Sequence, residues 1–91
     1  MKLQINKNSV RDKLARFLEE DFFIVLNADY KEDDNILKLG LVDSFGMVQL
    51  LLYVEREFGV EVPATFLESG QLSSLKMMTG TIMDLLDDEK S

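Results

Sequence analysis

Apolar residues recur at helical spacing in three stretches of this chain. Val10, Leu14, Phe17, Leu18 and Phe22 fall on one face of a 3.6-residue helix. Ser9 stands before them as an N-cap, with Asp12 three residues on as a weak capping-box acid. The first helix is therefore expected to begin near Ser9 and to fray after Asp21. Met47, Leu50, Leu51, Val54 and Phe58 form a complete second stripe. Asp43-Ser44 opens that helix, and Gly59 followed by Pro63 closes it near Phe58. Ala64 to Glu68 predicts a short third helix ended by Ser69-Gly70. The last helix is expected to start at Ser73 or Ser74, with Leu75, Met78, Ile82, Leu85 and Leu86 as its buried stripe. Gly80 inside it costs about 1 kcal/mol relative to Ala, so packing is expected to hold it.

Between the first two helices lies a polar loop, Asn27 to Asn35, holding Asp29, Glu32, Asp33 and Asp34. Ile36, Leu37, Leu39 and Leu41 follow, read as a long loop tacked down by leucines. No apolar alternation is long enough for a strand. The pattern predicts one all-α domain over residues 1–91: four helices, a long first connection and a short third helix. Val10, Leu14, Phe17, Met47, Leu50, Val54, Phe58, Ile82 and Leu85 are expected to share its core.

The second helix holds more apolar residues than one stripe needs. Phe45, Val48 and Leu52 form a second stripe beside Gln49, Tyr53 and Arg56. It either covers the short third helix or meets partners. These side chains are expected around the mouth of a cleft between the second and third helices, with Glu55 and Glu57 near its rim.

Charge narrows the choice of partner. The net charge is −7, and all of it comes from residues 31–91, with five basic and twelve acidic side chains. This balance argues against nucleic acid and against an anionic membrane surface. The acidic part serves as a solubilising face or as a docking face for a basic partner. The longest apolar runs, Phe22–Leu26 and Leu50–Val54, are too short to span a bilayer. Met1 to Asn6 does not resemble a targeting stretch, so a cytoplasmic location is expected.

Chemistry is narrowed further. The chain has no Cys and no His, hence no thiol nucleophile, imidazole base or zinc-finger ligands of its own. The acidic loop does not fit a calcium hand: counted from Asp29, the third position is Lys31 and the sixth is Asp34. No metal site is expected. Asp43-Ser44 at a helix start reads either as a plain cap or as a hydroxyl offered where helix N–H groups favour an anion. Without His it is not a triad serine.

The run Gly40-Leu41-Val42-Asp43-Ser44-Phe45-Gly46 is followed by Val48-Gln49-Leu50-Leu51-Leu52, Glu55, Glu57-Phe58-Gly59-Val60 and Val62-Pro63. Together they resemble the acyl carrier protein family. The resemblance spans nearly the whole chain and is most specific over residues 36–63. It implies a small four-helix acyl-carrier-like bundle that is not an enzyme. It implies covalent 4′-phosphopantetheine, donated by coenzyme A, on Ser44. Asp43 would support attachment by helping to hold magnesium in the transferase complex. Phe45, Val48, Gln49, Leu52, Glu55 and Arg56 are the expected partner face. Implied partners are a phosphopantetheinyl transferase, an adenylating acyl or aminoacyl ligase or an acyltransferase, and downstream biosynthetic enzymes. The chain is expected to act as a monomer.

The motif departs from the common Leu-Gly-x-Asp-Ser by one extra residue between Gly40 and Asp43. Gly46 and Gln49 stand where fatty-acid-synthesis carriers commonly have acids. The Gly-Leu-x-Asp-Ser-Phe-Gly run is nearer to D-alanyl and similar stand-alone aminoacyl carriers. Residues 64–68 lack the Glu-Phe-Asp-Arg signature of the D-alanyl type. A dedicated carrier in a specialised pathway is the expected role. The rival reading is an acidic helical interaction module without a prosthetic group.

Overall fold

The structure, a computed structural model, describes residues 6–90, with side chains through Asp87. Met1 to Ile5, from the segment read above for targeting, lie outside the described residues. Four helices follow one another: α1 (Lys7–Phe22), α2 (Ser44–Phe58), α3 (Thr65–Ser69) and α4 (Leu75–Lys90). Among the described residues there is no strand, only an isolated bridge between Leu26 and Tyr30.

The first helix begins earlier than expected. Asn6, not Ser9, is its N-cap, and its side chain accepts the Ser9 N–H at 2.9 Å. Ser9 thus lies inside the first turn, and its hydroxyl donates back to the Asn6 carbonyl at 3.1 Å. Asp12 faces Arg11 at 3.4 Å and forms no capping box. At the other end Phe23 turns into the left-handed region (φ 60°), and its N–H donates to the Glu19 carbonyl. The start of α4 resolves to Ser74, whose hydroxyl accepts the Met77 N–H at 3.1 Å.

α1 and α2 run antiparallel and meet through long side chains. Lys13 pairs with Glu57 at 2.9 Å. The rings of Phe17 and Tyr53 stack with centroids 4.0 Å apart. Nearer the other end, the Phe22 ring lies against Gly46. α4 packs mainly on α1 and also meets α2.

The core gathers Val10, Leu14 and Leu18 of α1, Met47, Leu50 and Val54 of α2, and Leu75, Met78 and Ile82 of α4. Phe17, Phe58 and Leu85 join it only partly buried. The connections contribute a large minority of the core. Ile24, Tyr30, Ile36, Val42, Val60, Val62 and Leu72 are all buried. The first connection is therefore held by Ile24, Tyr30, Ile36 and Val42. Of the leucines expected to tack it down, Leu41 packs partly buried against the core, whereas Leu37 and Leu39 are exposed. Ile36 N–H donates to the Ser73 carbonyl at 2.9 Å, and Lys76 N–H to the Glu32 carbonyl at 3.0 Å. These bonds tie the long connection to the start of α4.

Packing holds α4 in spite of Gly80, as expected, and Gly80 itself fills no close contact. A methyl group built there would meet nothing within 4 Å. The burial of Leu75, Met78 and Ile82 holds α4 despite it.

Candidate attachment site at the start of the second helix

The approach to α2 is built from backbone. Leu41 and Val42 N–H both donate to the Ile36 carbonyl, at 3.0 and 3.2 Å. Val42 is thereby plugged into the core, and Asp43 and Ser44 emerge at the surface. Gly40 provides the positive φ (78°) that this tight return requires. Asp43 is extended (φ −87°, ψ 179°) and caps the helix: its Oδ1 accepts the Gly46 N–H at 2.7 Å, and its carbonyl accepts Met47 N–H at 2.9 Å.

Ser44 is the first residue of α2 and is exposed. Most other hydroxyls are occupied. Ser9, Ser73, Thr79 and Thr81 donate to backbone carbonyls, and Ser74 accepts from Met77. Ser44, Thr65 and Ser69 keep theirs free of protein partners among the described residues. Of these, Ser69 ends α3 and Thr65 follows Ala64; only Ser44 combines a preceding aspartate with the start of a full-length helix.

This place tolerates an anion. The N–H groups of Ser44 and Phe45 have no intrahelical acceptor, and no acid lies in the first turn of α2. The two free N–H groups leave partial positive charge beside the Ser44 hydroxyl, partly offset by the capping Asp43 carboxylate. Among the described residues no group of three metal-competent side chains converges anywhere, at Asp43 or elsewhere.

The second apolar stripe does not cover α3. Phe45 is 71% exposed, and Val48 and Leu52 are exposed with it. Leu52, Gln49 and Arg56 turn toward α1, where with Phe17, Asp21 and Tyr53 they line a shallow groove of about 220 Å³. The two acids expected at the rim of an α2–α3 cleft are separated. Glu57 pairs with Lys13 of α1. Glu55 accepts the Val62 N–H at 2.9 Å and so holds the link from α2 to α3. Two residues apart on a helix, they face different sides, so one turns to the α2–α3 link and the other to α1. Sequence reasoning also passed over the packing of Phe22 on Gly46, for which periodicity carries no signal.

Comparison with known proteins now identifies the class. The family model described as "Phosphopantetheine attachment site" matches residues 8–82, and the chain belongs to that family. Within it, the chain is 41% identical over 59 residues to a D-alanyl carrier protein of Bacillus velezensis, covering 65% of this chain and 69% of that one. It is 38% identical over 65 residues to a D-alanyl carrier protein of Lacticaseibacillus casei, covering 71% and 74%. The chain is a carrier protein, not an enzyme. Its prosthetic group is covalent 4′-phosphopantetheine, whose terminal thiol holds the cargo as a thioester while other proteins do the chemistry. Among the described residues no helix is long and apolar enough to cross a membrane.

Proposed function

We propose that Ser44 is the attachment residue, and that the loaded carrier takes an aminoacyl group of the D-alanyl kind from an adenylating ligase and presents it to a downstream enzyme. The observation that carries this reading is the Ser44 hydroxyl: exposed, without a protein partner, on an anion-tolerant helix start. In the transfer, the Ser44 oxygen forms a bond to the phosphorus of coenzyme A next to the pantetheine. The pyrophosphate bond breaks, adenosine bisphosphate leaves, and the serine proton passes to the transferase or solvent. One Asp43 oxygen caps α2; its other oxygen is free to share a magnesium ion supplied in the transferase complex. The kinship with D-alanyl carriers supports the aminoacyl cargo. The exposed Phe45, Val48 and Leu52, with Gln49 and Arg56, serve as the partner face. Glu55 acts there indirectly, through the α2–α3 link. The chain works as a monomer in the cytoplasm, where coenzyme A and ATP are at hand.

The test is incubation with coenzyme A, magnesium and a broad-specificity phosphopantetheinyl transferase. One phosphopantetheine should be added, found at Ser44 by peptide mass spectrometry. Ser44→Ala should abolish it with the helical spectrum intact, because Asp43 still caps α2. A D-alanine-activating ligase with ATP should then load the holo-protein with one alanyl group that hydroxylamine removes. A folded sample left unmodified by several transferases, with an unmodified mass from its native host, would favour the interaction module.

A further inference from the structure

Gly46 is the most crowded glycine in the molecule. A Cβ there would lie 2.7 Å from Val42 Cγ1, 2.9 Å from Phe22 Cε1 and 3.3 Å from Asp43 Oδ1. The first two distances are too short for carbon atoms, so something must shift. Val42 is the buried plug that precedes the attachment motif, and the Asp43 oxygen is the cap of α2. The Phe22 ring is fixed from its own side by an edge-to-face contact with Phe17, centroids 5.7 Å apart. The left-handed turn at Phe23 ends α1 immediately behind it.

We infer that Gly46 and Phe22 are positioning residues for phosphopantetheine transfer. The bare Cα of Gly46 lets the Phe22 ring seat on the first turn of α2, and this contact fixes how Ser44 and Asp43 stand relative to α1. A transferase docked on the outer side of α2 must find the Ser44 oxygen in line with the phosphorus, and small misplacements of a reacting group are costly. The inference rests on Ser44 being the attachment residue. It adds that the serine's geometry is set from α1, by a residue at the far end of the first connection from Ser44.

The experiment compares transfer kinetics of wild type, Gly46→Ala, Phe22→Leu and Val54→Ala. Val54 is buried ten residues beyond Ser44, about 15 Å by helical rise, and controls for lost stability alone. All are assayed at a temperature where each is folded. Gly46→Ala should lower kcat about tenfold or more with KM within twofold, because Phe45 and Val48 still face the transferase. Phe22→Leu should lower kcat about threefold, and it decides the matter if Gly46→Ala does not fold. Val54→Ala should keep the wild-type kcat. A kcat within a factor of about 1.5 of wild type for Phe22→Leu, or an equal loss in Val54→Ala, overturns the inference while leaving Ser44 in place. Absence of label on Ser44 in the wild type instead overturns the reading on which it rests.

Discussion

Two helical glycines occupy opposite situations. Gly46, in the first turn of α2, has side chains of Val42, Phe22 and Asp43 where a methyl would go. Gly80, inside α4, has nothing within 4 Å of that position. Both weaken their helices by the same backbone entropy. Only Gly46 returns something for it, a close approach between two helices at the attachment motif. The difference teaches that a glycine in a helical pattern carries no fixed meaning. Its neighbours decide whether it is needed.

The widest expected effect breaks the crowded side. Gly46→Ala should lose about 1–3 kcal/mol in urea unfolding, the usual cost of overpacking, despite the better helix propensity of Ala. A neutral or stabilising outcome would mean that Phe22 and Val42 move aside freely. Gly80→Ala should go the other way and gain up to about 1 kcal/mol. A loss there would reveal a contact that the geometry does not contain. Phe45→Ser probes the outward side of the same first turn. Stability should stay within about 0.5 kcal/mol, because the ring is mostly in solvent, while loading by the transferase slows. Equal losses in folding and loading would remove Phe45 from the partner face.

The smallest change at neutral pH is Tyr30→Phe. The Tyr30 hydroxyl is buried with no hydrogen-bond partner among the described residues, so its removal should be neutral or slightly stabilising. Its effect appears in alkali. Burial, then the Glu19 carboxylate, pushes the Tyr30 phenol from 10.0 up to about 12. The unfolded chain releases this proton first, so stability fully present below the unfolded value is lost as pH rises through that window. Tyr30→Phe should reduce the slope of melting temperature against pH between those values. Tyr53, raised by burial and by Glu57, leaves a slope of the same sign.

Where periodicity and caps agree, the chain announces its own structure. Asp43, Gly59 and the stripe from Met47 to Val54 stand where their spacing puts them. The first helix start did not follow, because Asn6 and Ser9 are both good caps three residues apart, and only the backbone chooses between them. The loop anchors were only partly legible, for a different reason. Ile36 and Val42 each stand beside a leucine in irregular chain, where no period separates the buried residue from exposed Leu37 or half-buried Leu41. The run from Gly40 to Gly46, which we propose as the attachment motif, is legible as residue types in order. Its support from α1 is not, because Phe22 and Gly46 are joined only by the fold.

The two backbone bonds that tie the long connection to the start of α4 have a consequence for how the molecule breathes. Ile36 is fastened to Ser73 through its N–H and to Leu41 and Val42 through its carbonyl. It is the shared hinge pin of two segments that meet nowhere in sequence. A local opening of the turn before α4 frees Ile36, and with it the strap that presents Ser44. The start of α2 and the head of α4 are thus expected to open together, with matched amide-exchange protection at Ile36 and Val42. A partner that steadies either one should then slow exchange at both.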